Sequence, residues 1–273
     1  MSGPPRGILG SVQRRRSFCR CVAAGALLAA CKPATEEDEY RRALKWTDVD
    51  DVRAQLDAGK DPNHAFDDGD KPIHVIVSSA TGEPEVLKLL LERGAKVDAT
   101  DGDGKTAWDR CWGDGRGKLR EKDALMLIAL LDAGFVPPAD ATFEDDRTLL
   151  HEVARRAPSS RLVGLLVDEH GATIDARDAY GWTPLHVAVH ENNTEAASGL
   201  LQKGADANAE TTTTKQETRP RGETTIVQWR YEAGSRPLDV ARPNARGRFD
   251  EDVRKVLAEY GATSNDAVDN ESR

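Results

Sequence analysis

Two chemical functions are suggested by the segment from Ala99 to Thr106, which combines acidic residues, glycines and a lysine. The pattern approaches a phosphate-binding loop, and its Asp-Gly pairs also suggest a calcium loop. However, Ala99 replaces the first glycine of a phosphate loop, and no strand pattern surrounds the segment. Trp112 stands eleven residues after Asp101, where a calcium loop of the EF-hand type needs a glutamate. The sequence therefore disfavours both nucleotide and calcium binding.

Two histidine patterns suggest metal chemistry. His151-Glu152 begins the zinc-protease pattern, but Arg155 occupies the position of its second histidine. His186 and His190 lie four residues apart, so on a helix they would share a face and could share a metal. No Ser-His-Asp or Cys-His set is identifiable from the spacing. We predict no catalytic residue, no cofactor and no metal site.

A pair of helices would position the second histidine pattern. Thr183 can cap a helix N-terminus, and Pro184 suits the first helical turn. Leu185 follows at helical spacing. Leu200 falls on the apolar stripe of a second helix, which Gly204 ends. The unit is turn, helix, turn, helix over about 33 residues.

This unit recurs along the chain. Similar helix starts occur at Lys71-Pro72, Thr106-Ala107, Thr148-Leu149 and Arg236-Pro237. The glycines that would end the second helices are Gly59, Gly94, Gly134, Gly171, Gly204 and Gly261. We infer six units over residues 38–263, the first of them an incomplete opening unit. The last interval contains an insertion at about 209–233.

The repeated unit resembles the ankyrin repeat. The resemblance implies an all-α repeat solenoid of six stacked helix-turn-helix units, in which neighbouring units bury each other's apolar faces. It also implies that His74, His151 and His186 form internal hydrogen bonds at helix starts. Asp109 and Asp239 depart from the pattern because they stand where it has histidine.

Ankyrin proteins usually bind other proteins through their turn tips and first helices, and this resemblance predicts the binding residues here. Acidic residues map to successive tips: Asp67, Asp68, Asp70, Asp103, Glu144, Asp145 and Asp146. A row of one charge would attract a basic partner surface, although ordinary solvation of turns is an alternative. The fifth unit adds Tyr180, Trp182 and His190. Trp182 could instead cover the neighbouring turn.

The insertion is the main departure from the repeat. Its threonine, isoleucine, valine and aromatic residues predict two strands and a turn, with Trp229 and Tyr231 as further partner contacts. A flexible polar loop is the alternative. Long insertions in repeat proteins are often functional.

The first 30 residues predict the compartment. They contain five arginines, no acidic residue and a short apolar run, as a signal peptide does. Arg15-Arg16 resembles part of a twin-arginine export signal, and the residues from Leu28 to Cys31 resemble a bacterial lipoprotein box. That family implies lipidation of Cys31. A disordered basic tail is the alternative. Residues 31–37 would form a tether, and residues 264–273 a disordered tail.

Charge and cysteine content fit an acidic body on a lipid anchor. The chain has 38 basic and 47 acidic residues, a net charge of −9. This balance disfavours nucleic acid as a partner. Removal of the signal peptide would take away Cys19 and Cys21, so that only Cys111 remains besides the lipidated Cys31. No intramolecular disulfide is therefore expected, and burial of Cys111 is favoured.

These features predict a lipid-anchored periplasmic protein that binds another protein and is not an enzyme. Lys32 follows the cysteine, which favours the outer over the inner membrane. The role would be neutralising a toxin, as immunity proteins do, or supporting a periplasmic enzyme. The alternatives are an enzyme with a site at the insertion and a secreted effector directed at a host.

Overall fold

Helix pairs follow one another along the chain. The computed structural model describes residues 35–46, 48–113, 117–137, 143–221, 224–241 and 251–264. The pairs are α1 (Glu36–Trp46) with α2 (Val49–Asp57), α3 (Pro72–Ser78) with α4 (Pro84–Glu92), α5 (Ala107–Trp112) with α6 (Glu121–Asp132), α7 (Leu149–Arg156) with α8 (Ser160–Asp168), and α9 (Pro184–His190) with α10 (Thr194–Gln202). A 3-10 helix (Pro237–Val240) and α11 (Glu251–Glu259) form the sixth unit.

The units stack in two layers of helices. First helices pack on first helices, as α7 does on α9, and second helices pack on second helices, as α8 does on α10. Leu185 and Leu200, the two predicted core leucines, are fully buried. All six predicted terminal glycines have positive φ, a conformation that suits glycine after a helix. The helical solenoid is therefore confirmed.

Two parts of the fold differ from the sequence-based expectation. The opening unit has a complete first helix, because α1 begins at Glu36 and buries Tyr40 and Leu44. Glu36 and Glu37 thus belong to the helix rather than to the predicted tether. In the last unit, a four-residue 3-10 helix replaces the first α-helix.

The insertion contains two short antiparallel strands, β1 (Lys215–Arg221) and β2 (Thr224–Tyr231). The pairing begins with Lys215 opposite Tyr231 and is interrupted by a bulge after Glu217. The strands therefore leave and re-enter the array at these two residues.

Candidate functional site

The histidines of the repeated helix starts join one unit to the next. The Nδ1 atom of His186 accepts a hydrogen bond from the Thr183 backbone N–H at 3.1 Å. Its Nε2 atom then carries the proton and donates to the Ser235 carbonyl of the next unit at 3.2 Å. Burial lowers the pKa of His186 to about 4, so the ring is neutral near pH 7. This geometry assigns His186 an internal structural role.

His74 and His151 make the same pair of contacts. Each accepts a backbone N–H at its own helix start. Their Nε2 atoms donate to the carbonyls of Ala99 and Trp182, both at 3.0 Å. Burial lowers the pKa of both histidines. The predicted internal hydrogen-bonding role is confirmed for all three histidines.

The surroundings of His190 do not match a metal site shared with His186. Its ring packs edge-on against Trp182, with 5.0 Å between centroids, and Nδ1 lies 3.3 Å from a Glu191 carboxylate oxygen. Within the described residues, no group of three or more histidine, cysteine or acidic side chains has the geometry to hold a metal.

Asp68 and Asp70 are tip aspartates that form ion pairs with arginines of neighbouring units. Asp68 pairs with Arg41, and this contact lowers the pKa of the Asp68 carboxyl. Asp70 lies 2.8 Å from an Arg110 nitrogen and 3.4 Å from one of Arg41. The positive partners offset part of the charge that Asp68 and Asp70 present. Asp70 is only 13% exposed and is corrected from a partner contact to a bridge between units, whereas Asp68 stays 50% exposed and remains a predicted partner contact.

The segment from Ala99 to Thr106, whose sequence resembles a phosphate-binding loop, is a turn that the Asp101 side chain stabilises. Its carboxylate accepts the backbone N–H groups of Asp103 and Lys105, at 2.8 and 2.9 Å, and the Arg110 Nε at 2.6 Å. Burial alone would raise the pKa of Asp101, but these donors together lower it to about 2.

The remaining predicted tip aspartates stay exposed. We call Asp67, Asp103, Asp145 and Asp146 the exposed tip carboxylates. Asp145 and Asp146 have φ of 62° and 57°, and they lie in a 3-10 turn (Glu144–Asp146) just before α7. Arg147 pairs with Asp145 at 3.6 Å, beyond hydrogen-bonding distance, and the Asp145 side chain stays 40% exposed. The four residues lie on the tips of the second, third and fourth units, as predicted.

The aromatic residues of the fifth unit form a buried cluster with the base of the strands. The Trp182 ring is edge-on to the Tyr231 ring, with 5.3 Å between centroids. Lys215 Nζ lies 4.1 Å from the Trp182 centroid and 4.9 Å from that of Tyr180. These contacts attach both strands to the turn before α9, because Lys215 and Tyr231 are the paired ends of the insertion.

Burial corrects three predicted partner contacts. Trp182, His190 and Tyr231 are only 1, 5 and 7% exposed, so their surface is already used within the chain. Burial raises the pKa of the Tyr231 hydroxyl, as does nearby Glu191. Tyr180 remains half-buried at the turn. The side chain of Trp229 lies outside the described part of the structure, and its backbone pairs with Glu217.

Sequence reasoning missed several exposed apolar side chains. Trp46 at the end of α1 is 75% exposed, and Phe143 beside the fourth acidic tip is 37% exposed. The sequence offered a signal for Trp46, since it falls off the apolar stripe that Tyr40 and Leu44 define. No periodic signal marks Phe143, because it lies in an irregular connection.

The N-terminal predictions concern residues that the structure does not cover. Cys31 and the signal-like segment 1–30 lie outside the described residues, as does the tail from residue 265. Among the described helices, none is long and apolar enough to cross a bilayer. Cys111 is buried as predicted, and burial raises the pKa of its thiol.

Comparison with known proteins identifies the repeats. Residues 120–211 match the family model described as "Ankyrin repeats (3 copies)", and residues 68–102 match "Ankyrin repeat". A similar relative is SH3 and multiple ankyrin repeat domains protein 2 of Homo sapiens, 29% identical over 163 residues, which are 59% of this chain and 8% of that protein. Another is the transient receptor potential cation channel subfamily A member 1 homolog of Caenorhabditis elegans, 27% identical over 65% of this chain and 15% of that protein.

The chain thus spans less than a sixth of the length of these two curated relatives. Among solved structures, the ankyrin repeat domain of Bcl-3 is 25% identical, with a TM-score of 0.45 over 82% of this chain and 86% of that one. The human ASB11 ankyrin repeat domain is 20% identical, with a TM-score of 0.47 over 82% and 84%.

Proposed function

We propose that this chain, whose residues 68–102 and 120–211 are ankyrin repeats, binds a protein partner with a basic surface. Ankyrin repeats typically mediate protein–protein interaction. The observation that carries the basic character of the partner is the row of exposed tip carboxylates. They lie on three different units and therefore form an extended acidic feature rather than one local cluster.

The acidic row favours association in a specific way. Exposed charges of one sign steer a complementary surface during diffusional encounter, and their effect weakens as salt screens them. Asp68 and Asp70 contribute less, because Arg41 and Arg110 lie against them. The proposed recognition therefore depends mainly on Asp67, Asp103, Asp145 and Asp146.

We place the partner in the periplasm on the basis of the N-terminal sequence. The basic residues, the short apolar run and the lipoprotein-like box before Cys31 support export and lipid anchoring. A lipid-modified protein needs more than one acyl chain for stable attachment, and bacterial lipoproteins carry two or three. Lys32 supports the outer membrane as the destination.

Two roles fit an anchored periplasmic binding protein. One is neutralisation of a toxin that enters the periplasm, and the other is support of a periplasmic enzyme. They differ in the effect of the complex on the partner, because an immunity protein abolishes its partner's activity whereas an accessory protein maintains it.

Crosslinking in intact cells, followed by mass spectrometry, tests the proposal. We expect one specific periplasmic protein, captured by the wild-type chain and less efficiently by a variant with all four exposed tip carboxylates changed to asparagine. A variant with four exposed carboxylates of other helices neutralised, Asp50, Asp51, Glu85 and Glu92, is the matched control. The activity of the captured partner, measured with and without the purified chain, separates the two roles.

The alternative to a binding protein is an enzyme whose active site lies at the insertion. Ankyrin repeats generally act as interaction modules, and the polar residues Lys215 and Tyr231 at the base of the strands pack in an aromatic cluster. Substrate turnover by the purified chain, lost when a polar cluster of the insertion is changed, would favour the enzyme over the binding protein.

A further inference from the structure

The stack of first helices is interrupted between the third and fourth units. Elsewhere neighbouring first helices pack closely, as α3 does on α5 and α7 on α9, but α5 and α7 make much less contact. The second helices of the same two units, α6 and α8, do pack together. The array therefore stays continuous on one side and opens on the other.

The residue at the helix start of each unit explains where the opening occurs. His74, His151 and His186 each donate a hydrogen bond to a carbonyl of the next unit. The third unit has Asp109 at this position, and its carboxylate accepts the Thr106 N–H at 2.9 Å. An ionised carboxylate has no hydrogen to donate to the next unit. The other substitution, Asp239, is in the sixth unit, after which the described residues contain no further helix pair.

A different residue connects the two units beneath the opening. Arg156 is 4% exposed, and its guanidinium donates to the carbonyls of Trp112 and Gly117, at 2.7 and 2.9 Å. The Leu119 N–H donates back to the Arg156 carbonyl at 2.7 Å. These bonds hold the end of α5 to the end of α7, so the two units stay joined although their first helices make little contact.

The resulting cleft has aromatic walls. Its volume is about 400 Å³, and its lining includes Trp108, Trp112, Phe143 and Leu149, with Lys105 and Asp109 at the rim. Trp108 is stacked on Phe135, with 5.1 Å between ring centroids, and Trp108 and Trp112 are in edge contact at 6.0 Å. The walls are therefore held in place by the core, while Phe143 remains accessible.

Acidic tips flank this apolar cleft. Asp103 precedes α5 on one side, and the exposed Asp145 and Asp146 precede α7 on the other. Phe143 is directly followed by this second tip, and its backbone N–H donates to the Arg147 carbonyl at 2.8 Å, which closes the turn. An occupant of the cleft would thus meet an apolar lining and a net negative rim, because Asp103, Asp109, Asp145 and Asp146 outnumber Lys105 and Arg147.

We infer that the cleft between α5 and α7 receives an aromatic or large aliphatic side chain of the partner, flanked in its sequence by lysine or arginine. The inference rests on the proposed function and specifies the partner segment. A buried apolar anchor surrounded by complementary charge is the arrangement that dominates many protein interfaces. The missing histidine bond makes room for the anchor, and the tip carboxylates select its basic neighbours.

Three short synthetic peptides test this chemistry on the purified full-length chain. The probe is acetyl-Lys-Lys-Phe-Lys-Lys-amide with a fluorescent label, and its affinity is measured by anisotropy. One control replaces the phenylalanine by alanine, and the other replaces the lysines by glutamates. We expect each control peptide to bind at least tenfold more weakly. A version with a photoreactive benzoyl-phenylalanine should crosslink to residues 105–113 and 143–149.

A pair of variants tests the location. Phe143→Ala should weaken binding of the phenylalanine probe at least fivefold, while Tyr260→Ala, at a residue 44% exposed on the last unit, should leave it unchanged. Circular dichroism verifies that both variants remain folded. Equal binding of the three peptides, crosslinks spread over other units, or equal binding by the two variants would overturn the inference. If the in-cell partner is captured equally by wild type and Phe143→Ala, the cleft assignment fails while the proposed function stands.

Discussion

Acidification should destabilise the array through the buried histidines that join its units. His186 is fully buried, and its pKa falls from 6.5 to about 4 on folding. Between these pH values the unfolded chain binds a proton that the folded chain does not. The free energy of unfolding therefore decreases as pH falls from 6.5 towards 4, and the contribution of His186 is constant below that range.

The size of the effect follows from the two pKa values. Lowering the pH from about 7 to about 4.5 should remove about 2 kcal/mol through His186 alone, at 1.36 kcal/mol per pKa unit. His74 and His151 act in the same direction, because burial lowers their pKa as well. Asp101 contributes in a separate window, since its pKa shifts from 3.8 to about 2 and its stabilisation is lost only at lower pH.

Urea unfolding, followed by circular dichroism at several pH values, measures this slope. His186→Gln cannot titrate in this range, so its free energy of unfolding should fall by about 2 kcal/mol less than that of wild type over the same interval. Leu200→Ala is the control, because it should lower stability at every pH without changing the slope. Unfolding is fitted with a repeat-array scheme, since units need not unfold together. Equal slopes for wild type and His186→Gln would refute the reasoning.

Three other changes give expected outcomes. Leu200→Ala should cost about 2–5 kcal/mol of stability in urea unfolding, because Leu200 is fully buried, and a loss near the ~0.5 kcal/mol of surface sites would contradict the core assignment. Cys31→Ser should abolish metabolic lipid labelling and release the folded chain from membranes, and unchanged labelling would reject the lipoprotein box. Tyr231→Ala should shift tryptophan fluorescence and cost about 3 kcal/mol, because the change removes a buried ring and its contact with Trp182, and an unchanged spectrum would show that this cluster does not form.

The regular part of the fold was predictable because it is encoded locally. Thr183-Pro184 and the terminal Gly204 mark helix ends through their own backbone preferences. The core leucines follow from helical periodicity. The start of α1 was missed because no proline follows Thr35, although Thr35 and Asp38 form a capping box: the Thr35 N–H donates to the Asp38 carboxylate at 2.9 Å, and the Asp38 N–H donates to the Thr35 hydroxyl at 3.1 Å.

The candidate site was less predictable because its properties depend on contacts distant in sequence. Trp182 and Tyr231 are 49 positions apart, and sequence alone does not show that their rings meet. The same is true of Asp70, whose charge is offset by Arg110, 40 residues away. The repeat's turn pattern predicted acidic tips, but only the structure shows which of these carboxylates lie against arginines.

The separation of α5 from α7, between the third and fourth units, is visible partly in the sequence and partly only in the structure. Asp109 is visible in the sequence as a departure from the repeat. Its consequence depends on the structure, where α5 and α7 separate and Arg156 takes over the connection. The departure from the repeat is thus the local sign of a change in packing.

Binding kinetics with the captured partner, measured at two salt concentrations, test the central claim most directly. Wild type is compared with the variant that has asparagine at Asp67, Asp103, Asp145 and Asp146. The account predicts a lower association rate for the variant and a weaker dependence of that rate on salt, because these carboxylates steer encounter. Dissociation rates should change much less. Identical association rates and salt dependence for the two proteins would contradict recognition through the acidic tips.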